Sequence, residues 1–585
     1  MFFPDTGDAA PRILFIVGTM RPFLVTELQA GKLPRWGLLL LCALYILPGF
    51  VGRDPWRHAD AAGFGVALSM ARGSGIDWLI PNIAGEPTPG AGPLPFWFAA
   101  LAARVLPLSE HAAAVVATML GLVLLFVATW YAVYALARRP GVLPSDPLGA
   151  AASRVDFGRA IADSALLVLL ATIGVIARVH ETTADTAQLV LCGLFMLGAA
   201  RALERPLSGG LLAGAAIGAS VMTKGLLPAA VLLLTAVSLP LASRPYRFVA
   251  ARWLAAVLPA ALFAGLLWPG ALLASGDAGR LHLAAWLTWN QAQIAAPGID
   301  DALYLLRTLP WYFWPSWPIA LWAALRWRGR LGEPAIALPL VNLGAIALMS
   351  LAGSAAQGSQ LLPAALPLAM LAALGLPTLK RSVVSLVDWF AVMTYSLIGI
   401  VVWAYWIAFV LGYPPRMAYR AARIAPGFEP DWILLDVAAG LLASLAWLAL
   451  VRWRVSRQPP MIWRAVVLSS GGLVLAWFLL MTLWLPAFNE RNTYREVAQR
   501  AAQALPEGYR CVGTRELGSA QRATLFYFGG LKFGAPDGDC DWLLVQDTGP
   551  LARTAPDAVP GWTLHWEGSR LRDRDERLRL YRRAD

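Results

Sequence analysis

Long apolar runs alternate with short polar segments along almost the whole chain. With a window of roughly 17–25 residues for a membrane-crossing helix, the runs fall near 36–51, 112–137, 160–177, 184–200, 208–222, 226–242, 254–274, 310–325, 335–353, 360–377, 386–412, 432–451 and 465–485. About thirteen transmembrane helices are therefore expected. Every backbone polar group in lipid must be bonded within its own segment, which favours helices. The runs are too long and continuous for the alternating strands of a membrane barrel.

The alternation widens in two places. Between the first two runs, residues 52–111 hold a polar stretch. In it Asp60, Phe64, Ala67 and Met70 recur at helical spacing and predict a short surface helix over 59–71. The turn-rich "DWLIPNIAGEPTPGAGP" reads as an extended loop. "PLPFWFAALAARVL" reads as an interfacial helix with aromatic anchors. The second widening is the tail, 487–585. It opens with the amphipathic pattern "FNERNTYREVAQRAAQAL" and continues through the strand-like runs "YRCVGT", "DWLLVQD", "WTLHWEG" and "LRLYRR". Mixed helix and strand signals predict a small α/β domain. The expected organisation is a segment 1–35, a membrane module 36–486 and a soluble domain 487–585.

Composition supports an all-α polytopic membrane protein with a small C-terminal α/β domain. Of 585 residues, 58% are hydrophobic and only 14% charged, where soluble chains carry about 25% charged. The formal net charge of +12 would suit nucleic acid, but its distribution speaks against that. The basic residues cluster between apolar runs: Arg138/Arg139, Arg201/Arg205, Arg244/Arg247, Arg326/Arg328/Arg330, Lys380/Arg381 and Arg452/Arg454. Placing these loops in the cytoplasm satisfies the positive-inside rule. Residues 52–111, 178–183, 223–225, 275–309, 354–359, 413–431 and the tail then share the outer side, the periplasm of a bacterium. The first run reads as a retained span of an inner-membrane protein, not as a cleaved signal. No internal repeat is visible, which counts against a symmetric transporter.

Four cysteines divide by setting. Cys42 and Cys192 lie in apolar runs and read as small buried side chains. Cys511 and Cys540 lie in the tail, where a disulfide in an oxidising compartment would staple a domain of under about 100 residues; two free thiols are the alternative.

The stretches "GRDPWRHADAAGFGVALSM", "DWLIPNIAG", "GPLPFW" and "MTKG" follow one another in this order. Together they resemble the bacterial membrane glycosyltransferases of the GT-C fold, the group of aminoarabinose transferases and protein mannosyltransferases. The resemblance covers about 36–485 and implies transfer of a sugar from a polyprenyl-phosphate donor to a lipid, glycan or protein acceptor outside the inner membrane, with membrane lipids and no nucleic acid as partners.

Such chemistry asks for a carboxylate to accept the acceptor's proton and for cations at the leaving phosphate. Asp60 is the first choice for the base, with a capping or solvated carboxylate as the plainer reading. Asp54, followed by proline, suits a turn and stands second. Ala59 occupies a slot that the family fills with an acid, and Gly90 and Ala91 occupy slots for an acid and a lysine. Lys224 is then the foremost phosphate ligand, since a lysine at membrane level is costly without an anion or a cavity; a snorkelling lysine is the alternative. Arg57, Arg280 and Arg307 are further cations of the outer loops.

In "ARVHETTADTAQL", Glu181 and Asp185 are one helical turn apart, and the resemblance assigns Asp185 a supporting role. Glu181 also suits helix N-terminal charge stabilisation. His180, Glu181 and His282 leave a divalent metal open without building a full ligand set. Gln357 and Gln360 stand where the family carries basic residues and retain hydrogen bonding to a sugar. Two other functions remain open: a flippase for lipid-linked glycans, and a glycolipid-binding protein that has lost catalysis.

Overall fold

The computed structural model describes residues 25–56, 58–144, 151–294, 298–351, 361–456, 461–534, 539–554, 559–570 and 575–584. Helices stand at every position where an apolar run predicts one. Glu110–Ala137, Pro206–Lys224, Arg244–Ala274, Arg381–Leu411, Leu434–Val455 and Arg464–Leu483 are six that are long and apolar enough to cross a membrane among the described residues. The expected count of thirteen is not carried over, because several of the remaining helices are short. The run at 310–325 is divided: a helix Ile299–Tyr312 ends and Ser316–Arg326 begins, leaving only 11 residues in the second piece. The run at 160–177 breaks at Thr172, between Arg154–Ala171 and Ile173–Arg178.

Small residues let the helices approach closely. Gly198 and Gly209 face one another's helices, and a Cβ on Gly209 would lie 2.4 Å from the Ala202 nitrogen. Gly210, Gly214 and Gly218 do the same along Arg244–Ala274. Two acids buried within the bundle have polar partners. The indole of Trp130 donates to Asp163 at 2.7 Å, and Arg454 bonds Asp388.

Residues 52–109 do not form a further pair of spans. Helix Ala59–Arg72 and helix Leu94–Val105 flank a short hairpin in which Asn82–Ile83 pairs with Glu86–Pro87. Ala84 and Gly85 take positive φ at its turn, as a two-residue hairpin loop requires. The tail is the expected α/β domain. Strands Val512–Arg515, Trp542–Thr548, Glu576–Arg583 and Trp562–Gly568 lie in that order, the first pair parallel and the others antiparallel. Helices Arg495–Gln503 and Ser519–Phe528 cover it through Val497, Ala501, Leu525, Leu544 and Leu580.

Cys511 and Cys540 are disulfide-bonded with Cα atoms 5.3 Å apart. The bridge closes a separation of 29 residues, so Cys511→Ser/Cys540→Ser is expected to cost the domain about 3–4 kcal/mol. Limited proteolysis of the tail, compared with and without reductant, checks this.

The tail docks on the 52–109 segment. Arg522, 3% exposed, donates to the carbonyls of Ile83 (2.8 Å) and Ala84 (3.1 Å) and pairs with Glu86. A Cβ on Gly65 would lie 2.4 Å from that of Ala523, so glycine is what lets helix Ala59–Arg72 meet helix Ser519–Phe528.

Candidate active site

Three stretches of chain converge at the turn after Lys224. Helix Pro206–Lys224 ends at Lys224 because Gly225 adopts φ +90°, and helix Leu226–Ala242 starts immediately after it. Asn290, from helix Asp277–Ala292, accepts from the Leu226 N–H at 2.7 Å; its Oδ1 lies 2.4 Å from where a Cβ on Gly225 would stand. The 52–109 segment reaches the same turn. The Gly92 N–H donates to the Thr223 carbonyl at 3.2 Å, and a Cβ on Gly92 would lie 2.1 Å from the Met222 oxygen. The backbone around Lys224 is therefore gripped from two sides.

Lys224 pairs with Asp185, each side chain about a fifth exposed. Asp185 lies in the first turn of helix Ala184–Ala202, which Thr183 caps by accepting from the Thr186 N–H. Lys224 lines a cavity of about 100 Å³ with Gln188, Cys192, Asn290, Gln293 and Asn342. Its neighbour Thr223 lines a different space, an apolar groove of about 730 Å³ between helices Leu94–Val105, Glu110–Ala137 and Ala184–Ala202. Phe98, Leu101, Leu120, Leu124, Val190 and Leu194 wall that groove, and Thr118, Thr182, Thr183 and Thr186 also line it. A cation thus stands beside a small, largely apolar cavity that carries the amides of Gln188, Asn290, Gln293 and Asn342, one residue from a larger apolar groove.

Asp60 does not line either space. It is 5% exposed, and its carboxylate accepts from Arg53 at 2.6 Å, from the Trp56 N–H at 3.2 Å and from the Thr182 N–H at 3.0 Å. Arg53 is equally buried, stacks over Trp56 and also donates to the His180 carbonyl at 2.6 Å. Asp60 is a buried joint between the start of the 52–109 segment and the turn that holds Thr182, with both carboxylate oxygens occupied.

Asp54 faces the tail. Arg495 holds it with two N–H groups, and Asn489 accepts from the Asp54 N–H at 3.1 Å and the Trp56 indole at 2.9 Å while donating to the Gly52 carbonyl at 2.9 Å. An open cleft of about 520 Å³ beside it includes Glu490 and Thr493.

Glu181 is half-buried, and no hydrogen bond or ion pair engages its carboxylate among the described residues. Burial pushes its pKa up to about 7; Asp60 and Asp185 act in the same direction, and Arg53 and Arg178 against it. His180 is enclosed by Tyr45, Phe50 and Trp477, with its ring nitrogens against the carbonyls of Ile176 and Tyr45. His282 is buried against Trp268, with neither ring nitrogen bonded among the described residues, and burial lowers its pKa. Among the described residues no three His, Cys, Asp or Glu side chains are placed to hold a metal. Arg280 pairs with Asp277 on its own helix, and Arg307 is exposed. Arg57, Gln357 and Gln360 lie outside the described residues.

The geometry thus brings Lys224 and Asp185 together, places Glu181 near both pairs, and directs Asp54 to the tail. The sequence pattern gives no sign of the roles of Arg53, Asn489 and Arg495, which depend on partners far along the chain.

Neither a protein-family model nor a curated protein matches the chain. Solved structures do. ArnT from Cupriavidus metallidurans bound to undecaprenyl phosphate is similar with a TM-score of 0.65 at 15% identity, over 94% of this chain and 98% of that one. The same protein in the apo state gives 0.63 at 16% identity, over 93% and 98%. The chain is a multi-pass membrane protein with the fold of ArnT, the GT-C architecture to which the motifs of its 52–109 segment pointed.

Proposed function

We propose that the protein is an inner-membrane glycosyltransferase that moves a sugar from a polyprenyl-phosphate carrier to an acceptor on the periplasmic side. The observation that carries this reading is the placement of Lys224: a lysine at membrane level, beside a cavity to which four amide side chains contribute and one residue from an apolar groove of about 730 Å³. A prenyl chain fits such a groove, and a phosphate at its head would meet the ammonium group. ArnT, whose fold the chain shares, was crystallised with undecaprenyl phosphate, a ligand of this chemistry.

Within this reading Lys224 binds the phosphate and stabilises the charge that grows on it as the sugar departs. Asp185 holds Lys224 in place when the site is empty. Asp60 positions the loops, and Asp54 fastens the first of them to the tail.

The test uses the purified full chain with undecaprenyl phosphate and a polyprenyl-phosphate sugar. Saturable binding of the former in competition with the latter, and release of free polyprenyl phosphate during turnover, are expected. Absence of binding overturns the reading. Movement of the intact lipid-linked sugar across vesicles without release of carrier would instead identify a flippase.

A further inference from the structure

Resting on that reading, we propose that the Glu181 carboxylate accepts the acceptor's proton during transfer, and that the Arg53–Asp60 ion pair is the device that aims it. The argument is one of geometry. The ion pair grips the chain on both sides of Glu181: Arg53 donates to the His180 carbonyl at 2.6 Å, and Asp60 accepts from the Thr182 N–H at 3.0 Å. Two glycines close the grip. A Cβ on Gly49 would lie 2.0 Å from the His180 ring, and one on Gly63 would lie 2.0 Å from the Thr182 oxygen. The Glu181 carbonyl itself accepts from the Thr183 N–H and the Thr186 hydroxyl, each at 2.9 Å. The backbone on both sides of Glu181 is thus held, while no hydrogen bond or ion pair engages its carboxylate among the described residues. A carboxylate held in place but unbonded is what a proton acceptor requires.

The charged and titratable groups around it are Arg53 and Asp60 from the first outer loop and its helix, Arg178 from the preceding helix, Asp185 with its partner Lys224, and Tyr312. With an affinity for protons near neutrality, Glu181 is able both to take a proton and to release it at working pH. In the step, the acceptor hydroxyl gives its proton to Glu181 as its oxygen bonds the anomeric carbon. The bond from that carbon to the phosphate oxygen breaks, polyprenyl phosphate leaves with the electron pair, and Glu181 then returns the proton to water.

Three measurements on the full chain test this. The first is an infrared pH titration, in which a carboxyl band with a midpoint of about 7 is expected in the wild type and absent in Glu181→Gln. The second is the same titration in Asp60→Asn, where loss of a neighbouring negative charge is expected to lower the Glu181 midpoint; an unmoved midpoint would overturn the coupling of Glu181 to the Arg53–Asp60 pair. The third is transfer to a hydroxyl acceptor. The wild-type rate is expected to rise with pH through neutrality, and Glu181→Gln to lose that limb and about 10²–10⁴-fold in rate while binding undecaprenyl phosphate normally. If Glu181→Gln keeps the rate and its pH dependence, or the band persists in it, the assignment to Glu181 fails and the transferase reading stands. If wild-type protein transfers no sugar, the reading fails and the assignment with it.

Discussion

Asp60→Ala is expected to destabilise the protein by about 3–5 kcal/mol, because it leaves the Arg53 guanidinium charged, buried and without its anion. Arg53 and Asp60 are 6% and 5% exposed, so solvent does little to relieve the loss. The double variant Arg53→Met/Asp60→Ala is expected to recover part of it, since no buried charge then remains. It will not recover all of it. The N–H groups of Trp56 and Thr182, which now donate to Asp60, stay unpaired, at about 1–3 kcal/mol each where water cannot reach them. Thermal unfolding in detergent, read as a double-mutant cycle, makes the comparison. Additive single losses would mean that the two side chains do not depend on one another, and a loss below about 0.5 kcal/mol would place Asp60 among ordinary surface positions.

This pair also shows what the sequence conveys and what it withholds. Helix positions were legible because lipid forces apolar residues into long uninterrupted runs, and the four strands of the tail announced themselves through short apolar alternation. The pairing of Cys511 with Cys540 was legible from compartment and domain size. The buried state of Asp60 was not. Its partner Thr182 lies 122 residues away, and whether a carboxylate at helical spacing meets solvent or another loop depends on the packing of separate helices. The same holds for Asp54, whose clamp Asn489 is 435 residues distant. Polar pattern identified both as acids worth testing; only tertiary structure separates a loop joint from a tail anchor. The break between Tyr312 and Ser316 was hidden for a different reason, because the apolar pattern runs through it and "WPSWP" is compatible with either a kink or an end.

Lys224→Ala is expected to weaken polyprenyl-phosphate binding by about 10–150-fold, the equivalent of one charge-assisted hydrogen bond of about 1.5–3 kcal/mol, and to lower turnover as well. Both fall because the phosphate is anionic in the bound donor and becomes more so as the sugar leaves. Asp185 supplies the control. It now occupies the ammonium group of Lys224, so an incoming phosphate must compete with it. Asp185→Asn removes that competitor while keeping shape, and is expected to tighten phosphate binding. The two halves of one ion pair should therefore move the same equilibrium in opposite directions. A lysine that served only to anchor the helix end at the membrane surface would behave otherwise: its loss and the loss of Asp185 would lower stability together and leave the affinity for undecaprenyl phosphate alone. Binding titrations of the two variants and of Lys224→Ala/Asp185→Asn, each paired with an unfolding curve, distinguish the cases, because only phosphate recognition gives opposite signs in affinity.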